Sequence, residues 1–126
     1  MSFDSAPYRT LASNGRNWHI LQLGDGRVQL DFGPFAVAFY RDSFQLLHGL
    51  AEAALKAPLI LGCIAHAGFA RSIWFDPQQG ALSLAFDGVV LRFLPHELVA
   101  FTSLCREAGA ELEVKPWLPP SDGRYN

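Results

Sequence analysis

Cys63 and His66, in the run Cys63-Ile64-Ala65-His66, have the spacing of two metal ligands on one short segment. A structural zinc site takes four such donors. The other cysteine, Cys105, stands inside an apolar stripe at helical spacing, so the pair lacks partners and no metal site is assigned. Both cysteines are embedded in apolar sequence and are expected to be small core residues. His19, His48 and His96 each stand alone in a different segment. His48 and His96 fall off the apolar stripes of their segments, which suits solvated polar faces better than general acid or base work. His96 also opens a helical segment, where imidazole can bond free backbone groups. Ser43, Ser72, Ser83 and Ser103 lack the glycine-flanked elbow of a nucleophile, and no Gly-rich loop opens a helix as a phosphate cradle does. Asp25, Asp76 and Asp87 sit in or beside turns, where a carboxylate bonds backbone amides, and this outweighs a catalytic carboxylate pair. No catalytic, cofactor-binding or metal-ligating residue is assigned, and the chain is expected not to be an enzyme.

The elements that position these residues follow from a repeat. At a spacing of fifty-four residues the chain matches itself without a gap: Leu30, Phe32, Phe39, Leu50 and Ala54 recur as Leu84, Phe86, Phe93, Leu104 and Ala108. Conservative partners fill the intervals, among them Val28 with Leu82, Val37 with Leu91, Phe44 with Leu98 and Leu47 with Phe101. The polar positions do not match. Asp31 faces Ala85, Asp42 faces His96, His48 faces Thr102 and Glu52 faces Arg106. What repeats is a buried pattern, hence an architecture rather than a chemistry.

In the first copy, Trp18 to Leu23 alternates loosely, Gly24-Asp25-Gly26 turns, and Arg27 to Phe32 alternates strictly. Gly33-Pro34 turns again into Phe35 to Tyr40. Asp42 is expected to cap a helix whose apolar stripe is Phe44, Leu47, Leu50, Ala51 and Ala54. The second copy repeats this through Ser72 to Phe75, Ala81 to Phe86 and Val89 to Phe93. Pro95 then opens a helix with stripe Leu98, Phe101, Leu104, Cys105 and Ala108, and Gly109 is its expected stop. The predicted fold is α+β: two β-β-β-α copies, residues 18 to 55 and 72 to 109, packed about a pseudo-twofold axis as one domain spanning 1 to 126. Neither half is expected to fold alone. The linker, 56 to 70, is apolar through Pro58 to Ala65 and is expected to be a buried crossover or short extra strand. The tail, 110 to 126, begins with Glu111 to Val114, an expected edge strand. It continues as Lys115-Pro116-Trp117-Leu118-Pro119-Pro120, polyproline-like in composition, and its last residues, Ser121 to Asn126, are expected to be disordered.

Half of the 126 residues are apolar and 17% are charged, below the roughly one quarter usual in soluble domains. Some surface is therefore expected to be covered by something other than water. The net charge is −2 and the cations are scattered, so no electrostatic footprint for nucleic acid exists. No apolar run long enough for a membrane span and no apolar run behind a basic start is found, and two isolated thiols suit a reducing compartment, so the expected location is cytoplasmic.

The run Gln22-Leu23-Gly24-Asp25-Gly26-Arg27-Val28-Gln29-Leu30-Asp31-Phe32-Gly33, with the alternation and helix after it, resembles a family of small uncharacterised bacterial proteins, mainly from Bacteroidetes. The likeness covers about Trp18 to Val114. In that family the corresponding turn is Cys-x-x-Cys-Gly. Gln22 and Asp25 stand at the two cysteine positions here, so a metal knuckle at that turn would be lost. The resemblance implies the fold and no activity.

One face remains to be accounted for. If Phe35, Val37 and Phe39 point at the helices, Ala36, Ala38 and Tyr40 point away, as do Val90 and Leu94 beside Arg92 in the other copy. A solvated sheet face should be polar. Either the linker or tail covers this face or another protein does. The interface expectation names Ala36, Ala38, Tyr40, Val90 and Trp117. The expected function is a non-catalytic protein-interaction or assembly module, in a homodimer or a larger complex. The alternative is a small-molecule-binding regulatory domain using the groove between the copies.

Overall fold

The computed structural model describes residues 7–15, 17–68 and 70–114. Its elements are β1 (Tyr8–Ser13), β2 (Trp18–Leu23), β3 (Val28–Phe32), β4 (Phe35–Phe39), α1 (Arg41–Lys56), β5 (Gly62–His66), β6 (Arg71–Asp76), β7 (Ala81–Phe86), β8 (Val89–Phe93) and α2 (Pro95–Val114). Two antiparallel sheets result, in the orders β1-β2-β3-β4 and β5-β6-β7-β8, each followed by a helix. The fold is α+β with an internal repeat, and each copy begins one strand earlier than predicted. β1 lies in a segment whose alternation is too weak to announce it, and β5 realises the extra strand expected in the linker.

From β3 to the helix the fifty-four-residue offset holds: Val28 pairs with Phe39 and Leu30 with Val37, as Leu82 pairs with Phe93 and Leu84 with Leu91. The first hairpin recurs one residue earlier. Ile20 faces Leu30 while Ile73 faces Leu84, and the bulge between Thr10 and Ala12 reappears between Cys63 and Ala65. The difference lies in one turn. Three residues join Leu23 to Arg27, closed by Leu23 N–H donating to Arg27 O at 2.8 Å, whereas four join the paired Asp76 and Ala81. The alignment without a gap sets Trp18 against Ser72; the register sets it against Arg71. The contacts agree, since Trp18 stacks on Phe32 at 4.9 Å between centroids and the Arg71 guanidinium lies 4.9 Å over the Phe86 ring.

Local chemistry explains the turns after β3 and β7. Gly33, with φ +71°, precedes Pro34 in a two-residue link, and Asp87 and Gly88, with φ +52° and +88°, make the other. Two successive left-handed residues match the twist of a hairpin, and Asp-Gly supplies them at low steric cost. Arg71 adds a 2.8 Å bond from Nε to Asp87 Oδ1.

Both helical stripes are buried as the periodicity predicts: Phe44, Leu47, Leu50, Ala51 and Ala54 in α1, and Leu98, Phe101, Leu104, Cys105 and Ala108 in α2. The starts differ from expectation. Asp42 is not the cap of α1; the Tyr40 carbonyl accepts the first helical bond, from Phe44 N–H, at 2.9 Å. A cap must precede the first helical residue, and Arg41 is already helical. In α2 the Leu94 carbonyl has this role, Pro95 follows as predicted, and Glu97 Oε1 accepts from Leu94 N–H at 2.8 Å, half of a capping box.

Gly109 does not stop α2, and Glu111 to Val114 is helix rather than an edge strand. Glycine inside a helix costs about 1 kcal/mol against alanine, whereas burying a leucine returns about 1.5–3 kcal/mol. Leu112, one turn beyond Ala108, is buried, so continuation wins. The buried Thr102 hydroxyl donates to the Leu98 carbonyl at 2.7 Å, which removes the penalty of an unsatisfied hydroxyl.

The chain divides into two compact units, Met1–Phe44 with Leu104–Asn126, and Gln45–Ser103. The first holds β1 to β4 and the end of α2, where Arg41 Nη2 donates to the Leu112 carbonyl at 3.4 Å. The second holds β5 to β8, most of α1 and the start of α2, where the Phe93 and Phe101 rings meet at 5.0 Å. The compact units therefore differ from the sequence copies.

Candidate interaction surface

Cross-strand pairing sorts the side chains that face away from the buried rows. In the first unit, Ser13, His19, Asp31 and Ala36 form one row, and Thr10, Leu21, Gln29 and Ala38 the next, of which Leu21 is buried. In the second, the corresponding rows are His66, Ser72, Ala85, Val90 and Cys63, Trp74, Ser83, Arg92. Alternation of the pleat puts both rows of each sheet on one face.

The first row was hidden in the sequence. Ser13, His19 and Asp31 lie far enough apart in the chain that only strand register brings a hydroxyl, an imidazole and a carboxylate together. Among the described residues no hydrogen bond joins Ser13 to His19 or His19 to Asp31, and Ser13 Oγ instead accepts from Gly15 N–H at 3.1 Å. A nucleophile needs its base within about 2.6–3.2 Å, so these three do not form a relay here.

The other candidates resolve individually. Cys105 is a buried core thiol as expected, but Cys63 is exposed, a correction. Its strand lies at the edge of the sheet and its position alternates outward beside Trp74. Cys63 Sγ lies 3.3 Å from the Ala65 carbonyl. His66 is exposed on the same face, and among the described residues no three His, Cys, Asp or Glu side chains gather as metal ligands would. His48 Nε2 lies 2.9 Å from Glu52 Oε2 one turn along α1, and His96 is exposed in the first turn of α2.

Asp25 and Asp76 hold their turns: Asp25 Oδ1 accepts from Arg27 N–H at 3.1 Å, and Asp76 Oδ1 from Gln78 N–H at 3.0 Å. Asp87 instead pairs with Arg71. The bond from the Arg27 backbone N–H holds the Asp25 carboxyl below its ordinary value; desolvation opposes it, and the Arg27 side chain adds to the lowering. A depressed folded pKa stabilises the fold above the unfolded value, and this support fades as pH falls through the folded one. The Asp25 carboxyl resonance is therefore expected to titrate below 3.8 in the parent and to rise only part of the way in Arg27→Ala, which removes the side-chain bond and keeps the backbone one; an unshifted parent midpoint contradicts the bond.

The expected interface residues have mixed fates. Ala36 is exposed and Ala38 half-buried on β4, and Tyr40, just beyond it, is 75% exposed; all belong to the first unit. Val90, 67% exposed on β8, belongs to the second. Trp117 lies outside the described residues, as does the run to Asn126. Trp74, which the sequence left unassigned, joins the outer face at 52% exposure, its Nε1 donating to Ser72 Oγ at 2.9 Å. The linker expectation is corrected in part. Leu59, Ile60 and Leu61 are exposed rather than buried, since they precede β5 and stand outside its pairing.

Among the described residues no helix is long and apolar enough to cross a membrane. Comparison of the chain with protein-family models, with curated proteins and with solved structures finds no match.

Proposed function

We propose that this chain is a non-catalytic protein-interaction or assembly module. One observation carries the reading: large apolar side chains stand in water on the outer face of the second sheet and just beyond the β4 edge of the first, where a solvated antiparallel sheet carries polar ones. Tyr40, Trp74 and Val90 are the main members, with Ala36 and Cys63 beside them. Isolated exposed apolar residues are ordinary. Here Trp74 and Val90 share one sheet face with Ala85, and the exposed run Leu59 to Leu61 leads into the edge strand of the same sheet. Such surface gains about 25 cal/mol per Å² when another protein removes it from water.

The test is recovery of the tagged chain from its own cells with identification of what accompanies it, for the parent and for a Trp74→Ser, Val90→Ser double variant. Both substituted side chains are exposed, so the fold is expected to persist, with an unchanged circular dichroism spectrum. Companion proteins recovered with the parent are expected to fall away in the variant. Equal recovery with both proteins contradicts the reading.

A further inference from the structure

We infer that β4 is a self-pairing edge, through which two copies of this chain join as an antiparallel twofold dimer. The inference rests on the assembly reading above and names the partner and the contact. Each sheet has two edge strands, and the chain treats them differently. β1 and β5 both carry a bulge, at Thr10/Ala12 and Cys63/Ala65, which twists an edge away from further pairing. β4 and β8 pair without a bulge, so each presents a regular edge. β8 carries a charge at Arg92, one of the devices that protect an edge. β4 is Phe35-Ala36-Val37-Ala38-Phe39, with no charge, no proline and no bulge.

That sequence is a palindrome. A twofold dimer requires that if one residue contacts a second on the partner, the second also contacts the first. With the axis at Val37, antiparallel pairing sets Val37 against itself, Ala36 against the partner's Ala38 and Phe35 against the partner's Phe39. The outward row across the join is then all alanine, small enough for a flat seam, and the inward row is valine and phenylalanine. Phe35 and Val37 are only half-buried in one chain, so the join removes further ring and methyl surface from water. Tyr40, 75% exposed, follows directly and comes opposite the partner's Pro34, extending the contact beyond the five paired residues. β8, whose sequence Val89-Val90-Leu91-Arg92-Phe93 is not self-complementary, would set each Arg92 against Val90. The self-match therefore singles out β4 and a second copy of this chain.

The register makes a charge test decisive, because positions 36 and 38 face each other across the axis. Sedimentation velocity over a concentration series, on the full chain, is expected to show the parent in monomer–dimer exchange. Ala36→Lys with Ala38→Lys sets like charges opposite twice, whereas Ala36→Glu with Ala38→Lys sets opposite charges there. Cross-strand charge pairs differ by roughly 1 kcal/mol each, so the dissociation constant of the first variant is expected to exceed that of the second by about tenfold or more. Circular dichroism should be the same for both. If the double lysine variant melts early, Ala36→Lys alone, at an exposed position, is expected to weaken the dimer relative to the parent while melting with it.

A parent that is monomeric at every concentration overturns the inference, as do two double variants that associate equally. If the parent is monomeric yet its companions in cells still depend on Trp74 and Val90, β4 pairing falls and the assembly reading stands. If that dependence is also missing, both fall.

Discussion

Phe101→Ala lowers the stability of the chain by about 3–5 kcal/mol, and Leu47→Ala by about 2–5 kcal/mol. The two residues occupy the same place in the two helical stripes, and both are fully buried. Removing a buried side chain costs the transfer energy of its atoms and adds a cavity that neighbours fill only in part. Phe101 loses more, because its ring also meets that of Phe93 at 5.0 Å. Against a total stability of about 5–15 kcal/mol for an ordinary domain, either change unfolds a large share of the molecules near growth temperature. Thermal and urea melts measure this, and melting within a degree of the parent would remove these residues from the core.

Leu112→Ala is expected to cost about 2–5 kcal/mol, while Val114→Ser changes stability by no more than about 0.5 kcal/mol. The pair distinguishes helix from strand. A strand over Glu111 to Val114 would put Leu112 and Val114 on one face with equal burial. The helix buries Leu112 and leaves Val114 exposed, since two residues along a helix turn the side chain well away from the first. Urea midpoints of the two variants decide it, and equal losses would restore the strand.

These expectations show what the sequence could carry. The helical stripes were legible because burial selects apolar side chains every three or four residues, whatever the polar residues between do. Strands β3, β4, β7 and β8 were legible for the same reason at period two. β1 was missed because Tyr8, Thr10 and Ser13 face outward and the bulge at Leu11 breaks its alternation. The single residue added between Asp76 and Ala81 was invisible because apolar Ile73, Trp74 and Phe75 tolerate either alignment; only register separates Ile73, which is buried, from Trp74, which is not. Gly109 misled as a stop because its local cost is smaller than the distant burial of Leu112. The outer face was legible at Ala36, Ala38, Tyr40 and Val90 from alternation along one strand. Its cross-strand company, Trp74 with Ser83 and Arg92 or His19 with Ser13 and Asp31, needed strands that lie apart in the chain to be set side by side.

An unmatched polar pattern on a matched apolar one is what an assembly module would present: two copies keep the core in common while their outer rows diverge. His66 and Ser72 stand where Ser13 and His19 stand in the first sheet, and Val90 where Ala36 stands. Divergence of the outer rows would let the two faces serve different contacts, one with a second copy and one with another protein.

The most direct test of this account is the size of the protein in a fresh extract of its own cells, by gel filtration at its native level beside the purified chain of 13.9 kDa. The account predicts elution at twice that mass or more, moving to the monomer position when the outer-face and β4 substitutions are combined. Elution of the native protein as a monomer, unchanged by those substitutions, would contradict it.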